Sequence, residues 1–119
     1  MVQKYLSVMG DCLLEKVIEK SKFITHIRHV ESDEEAKAFV AEISKRYADA
    51  THNCYAYIAD SLGNLLRFSD DGEPQGTAGM PMLDVLRAQN LVQVAAVVTR
   101  YFGGIKLGAG GLVRAYSGC

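Results

Sequence analysis

Residues 97–116 read VVTRYFGGIKLGAGGLVRAY, and the rest of the chain is best read outward from them. The run 94–99 has the length and β-branched composition of a buried strand, and the residues after it alternate polar and apolar as a strand leaving a sheet does. It runs into Gly103-Gly104, a pair that allows backbone torsions barred to other residues. Gly108, Gly110 and Gly111 follow, at a helix expected to begin near Ala109. The spacing therefore predicts strand, glycine loop, helix.

Such a junction turns free backbone N–H groups toward an approaching anion, and Arg100, Lys106 and Arg114 add charge nearby. No established phosphate-loop pattern fits. Gly103 and Gly108 have Walker A spacing, but Ala109 stands where the lysine belongs, and Val113 takes the place of the third Rossmann glycine. A second reading stays open, in which the glycines serve only to let the last helix pack closely on the sheet.

A chain of 119 residues that is 49% apolar and 23% charged has the size and balance of one globular domain. No basic segment leads into an apolar stretch at the amino terminus, and no apolar run approaches membrane-spanning length, so the expected location is cytoplasmic. Cys12, Cys54 and Cys119 are odd in number and lack a CxxC, which argues against a disulfide framework or structural zinc. Neither a metal nor a cofactor is expected. The net charge of −1 divides unevenly: residues 1–84 carry net −5, whereas 85–119 carry Arg87, Arg100, Lys106 and Arg114 with no acid, net +4. Four cations do not make a strong nonspecific nucleic-acid binder. Clustered on one face, they would hold a few phosphates.

Along the chain, 5–8 suggests a short strand and Asp11 a turn. Residues 16–30 suit two strands or one bent near 20–22, with His26 and His29 read as strand surface rather than metal ligands. Ser32 and Glu35 form a capping box ahead of Ala36, Phe39, Val40, Ile43 and Tyr47, predicting an amphipathic helix over 33–48. Residues 53–60 alternate as a strand with Cys54, Ala56 and Ile58 on one face, and turn residues 62–64 lead to a partner strand from Leu65 to Phe68. His52 and Cys54 would share a face. A Cys/His nucleophile is disfavoured there, because nothing visible activates the thiol.

Residues 69–81, SDDGEPQGTAGMP, form the second unusual stretch. Asp70, Asp71 and Glu73 are candidate cation ligands or a general base, with His52 as a candidate acid, though a tight turn accounts for the same residues. Gly76, Thr77 and Gly79 precede a helix with Pro81 in its first turn and Asn90 at its stop, giving a second candidate anion cradle. The two glycine-rich helix starts would face one groove. The element order suggests an α+β two-layer sandwich, a mixed four- to five-stranded sheet with helices on one face.

With these residues laid out, the chain resembles the IMPACT family, also called YigZ-like, over its amino-terminal domain. Four segments carry the resemblance: SKFI at 21–24, ATHNCYAY at 50–57, SDDGEPQGTAGMP at 69–81 and VVTRYFGGIKLGAGGLVRAY at 97–116. The resemblance implies a fold like domain IV of elongation factor G, recurrent in ribosome-associated proteins. It implies that eukaryotic relatives regulate translation in amino-acid starvation by competing with an initiation-factor kinase for its activator, and that bacterial relatives look like RNA or ribosome binders. It also implies that residues 1–119 are a single amino-terminal-like domain, without the ferredoxin-like second domain of bacterial members or the partner-binding domain of eukaryotic ones.

The first functional expectation is a binding module in translation regulation. Arg100, Lys106, Arg114 and the backbone of Gly103, Gly104, Gly108, Gly110 and Gly111 would contact RNA phosphates, Tyr55, Tyr57 or Tyr101 would stack bases, and His52 and Asn53 would border the groove. A translation-regulatory protein partner is the related possibility, and no membrane is expected. The alternatives are a small hydrolase-like enzyme, with or without metal assistance, acting on an anionic substrate through His52, Asp70, Asp71 and Glu73, or a peptide or protein interaction domain.

Overall fold

The computed structural model describes residues 12–118, so the strand expected over 5–8 and the turn at Asp11 lie outside the described residues. Among these, the chain runs β1 (Cys12–Ile18), β2 (Ser21–His29), α1 (Asp33–Arg46), β3 (His52–Ile58), β4 (Leu66–Ser69), α2 (Gly79–Ala88), β5 (Val94–Tyr101) and α3 (Gly108–Gly118). The strands form one sheet in the order β1-β2-β5-β3-β4, which with the three helices makes an α+β fold. Every neighbouring pair is antiparallel, which corrects the expectation of a mixed sheet. The reason is topological: β2 and β3, joined through α1, run the same way, but β5 inserts between them and opposes both.

The helices do not share a face, which corrects the two-layer expectation. Val94, Ala96 and Val98 of β5 pack with Cys54, Ala56 and Ile58 of β3 against Met82, Leu83 and Leu86 of α2 and Leu112, Ala115 and Tyr116 of α3. Ala95 and Val97 point the other way, with Tyr57, onto Ala36, Phe39 and Ile43 of α1. A central strand covered on both sides has no polar face to show, hence the unbroken apolar run 94–98. At α1, the Ser32 hydroxyl accepts from the Glu35 N–H at 3.1 Å, and the Glu35 carboxylate accepts from the Glu31 N–H rather than from that of Ser32. The helix is fixed to the sheet by the Tyr57 hydroxyl, which donates to Asp33 at 2.6 Å, and by the Arg28–Glu42 ion pair at 3.0 Å. The hydrogen bond from Tyr57, and after it Lys37, lowers the Asp33 carboxyl below its ordinary value.

Two glycines are required by close approach. A Cβ on Gly103 would lie 2.0 Å from the Lys20 carbonyl oxygen, so the end of β5 seats directly against the β1–β2 turn; a Cβ on Gly79 would meet the Ser69 backbone at 2.8 Å, where α2 starts against the end of β4. Both contacts are with backbone, which cannot swing aside. Gly103→Ala is expected to destabilise the domain by about 1–3 kcal/mol, read as a lower urea midpoint with an unchanged slope.

Candidate functional site

The register aligns Phe23 of β2, Arg100 of β5 and His52 of β3 across the sheet, on the face that α2 and α3 cover. Arg100 is only 4% exposed and Glu73 only 7%, so the two charges need each other. Arg100 Nη1 donates to both Glu73 oxygens, at 3.0 and 2.7 Å, while Nε and Nη2 reach the Ser21 hydroxyl at 3.3 Å. The Tyr116 hydroxyl of α3 donates to Glu73, and His52 Nε2 stands 3.3 Å from it. Five segments meet at this pair.

It forms the floor of a cleft of about 420 Å³ lined by Thr51, His52, Glu73, Pro74, Arg100, Phe102 and, from the other wall, Lys106, Leu107, Gly108, Ala109 and Leu112. The segment before α2 and the segment before α3 thus meet across one groove. A second cleft of about 430 Å³ adjoins it, between Ile18 and Glu19 on one side and Lys106, Leu107, Gly111, Arg114 and Ala115 on the other. Lys106 and Leu107 border both.

Several expected site residues are committed elsewhere. The Asp70 carboxylate accepts from the N–H groups of Gly76, Ala78 and Gly79 at 2.9 to 3.1 Å, so the second cradle is filled by the chain's own acid. Thr77 is buried, its hydroxyl donating to the Pro74 carbonyl. Asp71 accepts from the Asn53 N–H at 2.6 Å, and its carbonyl accepts from His52 Nδ1 at 2.8 Å, so that this nitrogen is a donor. Asn53 is turned away from the cleft: its amide donates to the Tyr47 carbonyl and accepts from the Thr99 hydroxyl. The carboxylates of Asp70, Asp71 and Glu73 therefore accept from different groups, and among the described residues no three His, Cys, Asp or Glu side chains are grouped to hold a metal ion.

The three tyrosines considered for stacking lie on the α1 side. Tyr57 is buried and stacked at 6.0 Å on Tyr55. Tyr101 donates to Asp49 at 2.8 Å, a bond that raises its hydroxyl above the ordinary value. The aromatic at the cleft is Phe102, unremarked in the sequence although it stands immediately past the end of β5. Ser21 and Tyr116 were legible only as parts of family segments. Cys54 shares the face of His52, but burial pushes its thiol up to about 12 and Sγ donates to the Asp70 carbonyl at 3.1 Å. A thiol so held is no nucleophile. Among the remaining basic residues, Lys106 and Arg114 are exposed and, among the described residues, make no ion pair.

Comparison with known proteins gives the following. Residues 19–119 match the Impact N-terminal domain. The chain is 52% identical over 116 residues to the IMPACT family member YvyE of Bacillus subtilis (strain 168), covering 98% of this chain and 54% of that protein. It is 50% identical over 103 residues to YigZ of Escherichia coli (strain K12), covering 85% and 50%, and 37% identical over 94 residues to Protein IMPACT of Mus musculus, covering 75% and 29%. The chain spans about half the length of the bacterial relatives it matches. Among solved structures, the crystal structure of a hypothetical protein superposes with a TM-score of 0.88 at 46% identity, over 92% of this chain and 54% of that one. The two-domain translational regulator Yih1 superposes at 0.60 with 22% identity, over 92% and 45%, a likeness of fold.

Two outcomes follow from the geometry. Glu73→Ala strands a buried guanidinium and is expected to cost about 3–5 kcal/mol in urea unfolding, with Glu73→Ala plus Arg100→Met recovering part of the loss. In a Cys12→Ser, Cys119→Ser background, Cys54 is expected to resist an aromatic disulfide reagent at pH 8, because its raised pKa leaves the native thiol protonated there; it should react stoichiometrically once the protein is unfolded.

Proposed function

The chain belongs to the IMPACT family, and we propose that this domain is a binding module in translation regulation, contacting RNA phosphates through the rim formed by Lys106 and Arg114. The observation that carries the reading is the placement of these two cations. Lys106 borders both adjoining clefts and Arg114 the second, so a chain of phosphates lying along α3 would meet them in turn. Arg100, by contrast, is neutralised by Glu73. Glu19 on the far wall of the second cleft sets the side from which a polyanion would keep away. A Cβ placed on Gly104 or Gly108, on either side of Lys106, would meet nothing within 4 Å, so the backbone there is open to close approach.

The role in translation regulation is supported by family membership and by the shared fold of the regulator Yih1. A hydrolytic reading has less to stand on, since Asp70 and Asp71 are bound to backbone N–H groups and Glu73 already accepts from arginine and tyrosine.

The test is titration of a labelled single-stranded RNA at two salt concentrations. Lys106→Ala with Arg114→Ala is expected to weaken binding at low salt by about tenfold and to reduce the log–log salt slope by roughly 1.4, two lost phosphate contacts on a single strand. No binding by the parent protein, or an unchanged slope in the double variant, removes the reading.

A further inference from the structure

We infer that the cleft beside Phe102 takes an unpaired nucleobase, so that the ligand of this face is a single strand and not a duplex. The inference rests on the RNA reading above and adds the part of the ligand that enters.

Phe102 is 47% exposed although it is apolar. Its ring is held rather than loose. The Arg100 guanidinium carbon lies 5.4 Å from the ring centroid, the Phe102 N–H donates to the Thr51 hydroxyl at 2.9 Å, and the next residue, Gly103, is jammed against the Lys20 carbonyl. An exposed aromatic fixed at both backbone and ring is a prepared stacking surface, because little freedom remains to be lost when a flat group settles on it.

The charges set the orientation. Arg100 and Glu73 cancel on the floor, and the walls are Pro74, Leu107, Ala109 and Leu112, which suit a flat, uncharged body. The uncompensated charge is at the rim, on Lys106. A phosphate driven inward would meet the Glu73 carboxylate, whereas a base placed inward against Phe102 leaves its phosphate at Lys106. The Thr51 hydroxyl, which accepts from the Phe102 N–H, has its own O–H to offer to the edge of the base, whereas both ring nitrogens of His52 are engaged by Asp71 and Glu73. A volume of about 420 Å³ lies at the small end of ligand clefts, which fits one base with its sugar. Bases in a duplex are paired and stacked within the helix and cannot enter.

The experiment compares the parent protein, Phe102→Ala and Phe102→Tyr, each titrated with a 2-aminopurine-labelled single strand and with the duplex of the same sequence, folding being checked by thermal unfolding. The expected result is preference for the single strand, quenching of the 2-aminopurine on binding, and about tenfold weaker binding by Phe102→Ala. Its salt slope should be unchanged, and Phe102→Tyr should restore affinity and quenching. Equal binding of duplex, or an affinity indifferent to Phe102→Ala, overturns the inference while leaving phosphate contact by Lys106 and Arg114 standing. No binding of either nucleic acid overturns both. Capture of a peptide in the cleft that RNA fails to displace also overturns it.

Discussion

Arg100 sits at the end of the central strand, on the same face as Val98 and Ala96, where the neighbouring positions are filled with apolar side chains. A guanidinium in that setting requires an acid, and the acid comes from 27 residues earlier in the chain, at Glu73. In energetic terms the pair contributes little net stability, because removing two ions from water offsets most of their attraction. Its effect is positional. Glu73 also receives Tyr116 from α3 and faces His52 on β3, while Arg100 reaches Ser21 on β2. Loop, sheet and last helix thereby share one reference point, and Pro74, next to Glu73, lines the cleft above it.

The polar crowding of residues 69–79 follows from the same constraint. A largely exposed loop with few apolar side chains, which dips inward only at Glu73 and at 77–79, must satisfy its own backbone. Asp70 collects the N–H groups at the start of α2, Asp71 reaches the edge of β3, Thr77 closes on Pro74, and Cys54 gives its thiol proton to the Asp70 carbonyl. Each group that resembles catalytic or chelating equipment in the sequence is accounted for inside the fold. What is left outward-facing is the last segment, with Lys106 and Arg114.

The elements themselves were largely legible. The capping box and helical spacing marked α1, the alternation in β3 separated Cys54, Ala56 and Ile58 from Tyr55 and Tyr57, and the run 94–98 marked a central strand. That run also implies cover on both faces, but which helix takes which face is set by chain crossovers that no local pattern reports. The charges were less legible for a physical reason. Composition counts Arg100 and Lys106 alike, but neutralisation of Arg100 depends on contacts with residues 27 and 79 positions away. No local pattern reports such contacts. The same holds for Phe102: its spacing continues the strand alternation, and its exposure is decided by Gly103 meeting a turn far earlier in the chain.

The two glycine-rich helix starts, so similar in sequence, therefore differ in what the fold allows them to do. The start of α2 is closed by Asp70, and its glycine at 79 serves contact with Ser69. The wall that includes the start of α3 faces Glu73 and Arg100, whose charges are bound to each other. Making this floor more attractive to an anion would mean removing Glu73, and that would leave Arg100 charged, buried and alone, at a cost comparable to a large part of a small domain's stability. The cleft floor is thus held neutral by the requirements of folding, and attraction for an anion is confined to the rim. A ligand that fits must divide its own polarity in the same way, with an uncharged part directed inward and its negative charge kept at the edge.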